Sequence, residues 1–185
     1  MLNTVNFCHH IGMTGLIYIG LLFSLCLVAS IPARSALRPN HFMVDTKLNN
    51  FVSKGVFIGG KEMGAASLLN VSIMKSRKSE KERVIIDLGD SDGNQLTKDV
   101  SYFHAVVEST PPRLVVNLAN VQKTALREEE VKAGFVGSAA IEKVSLTMDP
   151  IDHSTTLILD FKNAKSVSAF TRPNAPGRIF IEIRP

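Results

Sequence analysis

Hydrophobic residues fall in two different patterns along this chain. Residues from Ile11 to Ser30 are apolar or small with no charge at all, whereas from Leu68 onward apolar positions recur one in two within short runs. A period of two is the signature of half-buried antiparallel strands. It predicts strands over 68–75, 83–89, 100–107, 113–119, 141–148, 156–162, 165–170 and 178–183. The runs are separated by Asp90-Ser91-Asp92-Gly93-Asn94, Ser109-Thr110-Pro111-Pro112, Asp149-Pro150-Ile151-Asp152 and Pro173-Asn174-Ala175-Pro176-Gly177. These are turn chemistries: Gly tolerates positive φ, Pro presets φ, and Asp or Asn bonds its own backbone. Lys123 to Lys132 lacks an apolar stripe and reads as a crossover loop or a single helical turn.

Alternation assigns the two faces of the four strongest strands. One face collects Val84, Ile86 and Leu88; Leu114, Val116 and Leu118; Leu157, Leu159 and Phe161; and Ile179, Ile181 and Ile183, which is the predicted core. The other repeats a polar, apolar, polar triplet: Arg83-Ile85-Asp87, Arg113-Val115-Asn117, Thr156-Ile158-Asp160 and Arg178-Phe180-Glu182. An apolar stripe flanked by hydrogen-bonding groups suits a ligand with flat faces and hydroxyl or amide edges, such as a glycan. The competing reading makes the charged residues cross-strand partners that stabilise the sheet by a few tenths of a kcal/mol per pair.

The two halves also resemble each other. Val71 falls on Val144, Ile73 on Leu146, Val84-Ile85-Ile86-Asp87-Leu88 on Leu157-Ile158-Leu159-Asp160-Phe161, and the run Arg113 to Leu118 on the run Arg178 to Ile183. The expected fold is therefore all-β: a β-sandwich of two symmetry-related sheets built from a duplicated four-strand unit, in which each half buries the apolar face the other cannot cover alone.

Composition narrows the setting. The apolar block is followed by Ser30-Ile31-Pro32-Ala33-Arg34-Ser35-Ala36, a small-residue stretch with a helix breaker, as at signal-peptide cleavage sites. Residues 1–36 are read as a signal peptide or an uncleaved N-terminal anchor, 37–66 as a linker or lead-in, and 67–185 as the domain. A lipid anchor at Cys26 is disfavoured, because Leu25 stands where a small residue is expected. Cys8 and Cys26 are the chain's two cysteines, so the exported part must be held by packing, without a disulfide or a Cys-bound metal. Residues 1–36 contain one of the 21 Lys and Arg residues and none of the 17 Asp and Glu, leaving the rest one unit below the whole chain's formal +4. That mild charge is far from the dense basic clustering of a nucleic-acid binder.

Candidate chemistry is sparse. Lys75, Arg77 and Lys78 lie in a basic run between the first two strands and would form a hairpin tip able to touch anionic polymer or phospholipid, although Glu80 and Glu82 dilute it. Gly55-Val56-Phe57-Ile58-Gly59-Gly60-Lys61 has phosphate-loop spacing, but Glu62 replaces the Ser or Thr such a loop needs. His41, His104 and His153 are scattered, and the acidic clusters stand in predicted loops beside no nucleophile. No catalytic set, metal site or cofactor site is expected.

The ordered series Arg83-Val84-Ile85-Ile86-Asp87-Leu88, Pro111-Pro112-Arg113-Leu114-Val115-Val116-Asn117-Leu118, Thr155-Thr156-Leu157-Ile158-Leu159-Asp160-Phe161 and Gly177-Arg178-Ile179-Phe180-Ile181-Glu182-Ile183 resembles the AMIN domain family over residues 68–185. At Asn117 that family more often has Asp. The resemblance implies a sandwich of two symmetry-related sheets that targets its host to peptidoglycan, as in periplasmic N-acetylmuramoyl-L-alanine amidases and type IV pilus secretins. Two functions are expected from this: a non-catalytic periplasmic module binding peptidoglycan, or a protein-interaction component of an envelope machine such as a pilus or secretion assembly. The membrane is then met only through the N-terminal segment, if that segment stays uncleaved.

Overall fold

The computed structural model describes residues 41–44, 50–76 and 79–185; the leader read in residues 1–36 lies outside them. All eight strands expected from alternation are present, with ends shifted by a few residues: β3 (Ala66–Lys75), β4 (Glu82–Asp90), β5 (Phe103–Ser109), β6 (Pro112–Leu118), β8 (Ile141–Asp149), β9 (Ser154–Phe161), β10 (Ser166–Thr171) and β11 (Arg178–Arg184). Three more, β1 (His41–Val44), β2 (Gly55–Gly59) and β7 (Val121–Thr124), join them, and the crossover segment holds one short helix, α1 (Glu128–Gly134).

The described residues are mostly β and form two sheets. One has the order β1-β2-β5-β6-β9-β8 and the other β10-β11-β4-β3-β7. Every residue of the predicted core face is buried, and side chains from both sheets belong to a single hydrophobic cluster. The sheets are also tied by a polar contact inside it: the Thr155 hydroxyl, fully buried on β9, donates to the Val121 carbonyl of β7 at 2.8 Å.

The order β10-β11-β4-β3 in one sheet matches β5-β6-β9-β8 in the other when β3, β4, β5 and β6 are set against β8, β9, β10 and β11. The registers match too. Where β11 meets β4, Arg178 lies opposite Asp87 and Glu182 opposite Arg83; where β6 meets β9, Arg113 lies opposite Asp160 and Asn117 opposite Thr156. Even the irregularities correspond, since β3 shifts register between Leu68 and Asn70, and β8 between Ile141 and Lys143.

Within residues 37–66, read as a lead-in, residues 50–66 are more structured than that. β2 pairs antiparallel with β5 and buries Val56 and Phe57, and Val52 exchanges two 2.8 Å backbone hydrogen bonds with Val167 at the rim of β10. Glycines hide this strand from a pattern search. Gly60 ends it at φ +80, and a Cβ there would lie 2.3 Å from the Ser101 carbonyl oxygen, so glycine is required for both conformation and space. The phosphate-loop-like run is thus an in-sheet strand, and Lys61 forms an ion pair with Asp99 at 2.9 Å.

Helix α1 is short because its sequence offers little to bury. Glu128, Glu129 and Glu130 fill the first turn, where the helix dipole favours them, and Val131 is its buried residue. Glu130 reaches back to the Arg127 backbone N–H at 3.3 Å, one half of a capping box.

Candidate functional site

The four triplets come from two sheets and so form two separate outer faces. Sheet register extends each into rows that cross the strands.

On the six-stranded sheet, one row runs Glu108, Arg113, Asp160, Lys143 across β5, β6, β9 and β8, alternating in charge. The next runs Val106, Val115, Ile158, Ser145, with Val56 of β2 beside Val106. The third runs His104, Asn117, Thr156, Thr147. Val106, Val115 and Ile158 are partly exposed, a strip that spans roughly 10 Å over three strands at the usual spacing. Arg113 donates to Glu108 at 2.6 Å, with about a third of each side chain exposed. Asn117 donates to the Thr156 hydroxyl at 3.3 Å. Asp160, partly buried between Arg113 and Lys143 in register, forms no side-chain hydrogen bond or ion pair among the described residues. Its acceptor oxygens are available to a ligand.

On the five-stranded sheet the corresponding rows pair internally, although the buried Arg83 Nε has no hydrogen-bond partner among the described residues. Arg178 donates to Asp87 at 2.6 Å and Arg83 to Glu182 at 2.6 Å, so for these four residues the cross-strand reading holds. The expectation of an open outer face fails at Phe180 and Glu182, which are 5% and 4% exposed. Phe180 stacks on Phe170 of the neighbouring strand with ring centroids 5.5 Å apart, and the Arg172 guanidinium lies 5.0 Å above it. Alternation assigns a side chain to a face but does not say whether that face is covered. Arg83, Ile85, Asp87 and Arg178 are partly buried and not sealed in the interior.

The basic hairpin tip is reduced as well. Lys75 donates to the Gly137 carbonyl, and Arg77 and Lys78 lie outside the described residues. Near it, the reading missed Glu82. This carboxylate continues the inward row of Val84 and Ile86, is 3% exposed, and accepts from the Ser138 hydroxyl, the Ala139 N–H at 2.8 Å and the Ala140 N–H at 3.2 Å. Burial pushes its pKa up, but those donors and the nearby Lys75 charge outweigh burial and hold it below the ordinary 4.5. It anchors the loop between α1 and β8.

Also missed were His104, Val106 and Glu108 on β5 and Lys143, Ser145 and Thr147 on β8, which complete the open face. Their alternation was visible, but only register shows that they lie beside the triplets. Among the described residues no three His, Cys, Asp or Glu side chains gather to hold a metal ion. No family model matches the chain, and no characterised protein matches its sequence.

Proposed function

We propose that this chain is a non-catalytic binding module of the cell envelope, exported to the periplasm, which takes a peptidoglycan strand across the outer face of β5, β6, β9 and β8. In this reading the fold is a β-sandwich of two symmetry-related sheets from a duplicated four-strand unit, as the AMIN-like motif series implies. Matching strand order and register support the duplication.

The observation that carries the functional reading is the Val106, Val115, Ile158 strip between a charged and a polar row. Sugar rings have apolar faces that rest on such a strip, while their hydroxyl and amide edges need donors and acceptors on both sides. Arg113, Asn117, Thr156, Asp160 and Lys143 supply these. Partly exposed side chains already fixed by sheet pairing lose little entropy on binding.

Co-sedimentation with purified sacculi tests the reading. Residues 37–185 should pellet with the wall, and the Arg113→Ala/Asp160→Ala double variant should bind at least about tenfold more weakly while melting normally. Absence of pelleting by the unsubstituted chain would reject wall binding. If a stable complex with an envelope protein were recovered instead, the second reading would stand; the open edge of β8 at the end of its sheet favours it.

A further inference from the structure

We propose that β8 is a dimerisation edge: a second copy of this chain pairs with it antiparallel about Leu146, continuing the six-stranded sheet across a twofold axis. Lys143 belongs both to this edge and to the charged row of the outer face, so the pairing is read from self-association and not from wall binding.

β8 is the last strand of its sheet, and among the described residues only β9 hydrogen-bonds to its backbone between Glu142 and Met148. An edge of nine residues is long for one left open, and open edges are templates for pairing unless charge or a bulge blunts them; the irregularity in β8 is confined to Ile141–Lys143, and the register from Lys143 to Asp149 is regular. Lys143 is the cation on this edge. It makes no ion pair or side-chain hydrogen bond among the described residues, although Asp160 is its register neighbour on β9. Pairing about Leu146 changes that, because it sets Lys143 opposite Asp149 of the second copy, twice per dimer. It also sets Val144 opposite Met148, Ser145 opposite Thr147, and Leu146 opposite itself. Leu146 and Met148 are only partly buried at the rim, so the pairing removes apolar surface as well.

Two of the most exposed hydrophobic side chains flank this edge. Ile151, 84% exposed, projects from the turn after β8, where the Asp149 carboxylate fixes it by accepting from the Ile151 and Asp152 N–H groups at 2.8 and 3.2 Å. At the other end of β8 is a groove of about 490 Å³ floored by Phe135, Val136, Ile141 and Val144 and flanked by Lys143 and Lys162; Val136 is 81% exposed. Antiparallel pairing about Leu146 sets the turn after β8 of each copy toward the groove end of the other. The contact is isologous and closes at two copies.

The test uses the purified full chain in detergent micelles. With Cys8→Ser and Cys26→Ser in place, Leu146→Cys should be oxidised to a cross-linked dimer, since directly opposed residues have Cα atoms about 4.5–5.5 Å apart, within disulfide reach. Asp92→Cys, in the β4 turn, should not cross-link. In sedimentation velocity, Lys143→Asp should raise the dimer dissociation constant about tenfold or more, and Lys143→Asp/Asp149→Lys should restore it. A chain that stays monomeric at every soluble concentration overturns the proposal. So do equal cross-linking at both cysteine positions, failure of the charge swap to restore the dimer, or capture of a different protein along β8 by an otherwise monomeric chain.

Discussion

Replacing Glu82 by Gln isolates the contribution of one buried charge. Glu82 opens β4 on the inward row, opposite Lys75 on β3 and Ile183 on β11, and its three donors all belong to Ser138, Ala139 and Ala140. The Ser138 hydroxyl oxygen in turn accepts from the Ile141 N–H at 2.9 Å, so the carboxylate fixes the point where β8 begins. Gln offers one acceptor oxygen and an NH₂ that would face donors. Hydrogen bonds to a charged group contribute about 1.5–3 kcal/mol each against about 1 for neutral pairs, so the substitution should cost roughly 2–4 kcal/mol. That is a large share of a domain stability of about 5–15 kcal/mol. The sign with pH follows from the depressed pKa. The stabilisation is fully present above the unfolded value of 4.5 and is lost as pH falls through the lower folded value. Urea titrations of both proteins should therefore show a wide gap at neutral pH that narrows well below pH 4.5. A gap under about 0.5 kcal/mol at neutral pH, or one that stays constant on acidification, would refute the assignment.

Three further substitutions probe other parts of the argument. Gly60→Ala, at φ +80 with the new Cβ 2.3 Å from the Ser101 oxygen, should destabilise by about 2 kcal/mol or more, read as a drop in Tm. Thr155→Val keeps the shape but removes the hydroxyl bonded to Val121, and a loss of about 1–2 kcal/mol in chemical unfolding is expected. Arg178→Ala, which removes the Asp87 pair, should lower stability by up to about 1 kcal/mol and leave sacculus binding unchanged; reduced binding would return the five-stranded face to consideration.

Alternation was enough to place the eight strands and the twelve core residues, because a side-chain period of two needs no tertiary information. It fell short in two kinds of place. β2 was lost in Gly55, Gly59 and Gly60, whose missing side chains carry no pattern, and β7 is only four residues long. The candidate site was half legible. The triplets lie opposite the predicted core face of their strands, but Phe180 and Glu182 are buried there, and the distribution of the triplets over two sheets depends on β4 pairing with β11 and β6 with β9, contacts between distant parts of the chain. Glu82 was invisible for another reason: a charged residue beside a basic loop looks solvated until the Ser138 loop is folded over it.

The two outer faces show how little need change for one to close and the other to stay open. Strand order and register are the same, so the backbone supplies equal platforms. Where the open face has Val106 beside Val115, the closed one has Phe170 beside Phe180. Two stacked rings fill the space above the sheet and draw Arg172 over them, whereas two valines leave a shallow strip. Where the open face has Asn117 opposite Thr156, a weak neutral pair, the closed one has Glu182 opposite Arg83, an ion pair at 2.6 Å. A ligand on the closed face would have to displace those internal partners, while on the open face it meets Asp160 with its acceptors unused. Exchanging side chains at these matching positions should therefore move binding from one face to the other. Val106→Phe/Val115→Phe should abolish sacculus co-sedimentation without lowering Tm, and retained binding by that double variant would show that the valine strip is not where the ligand rests.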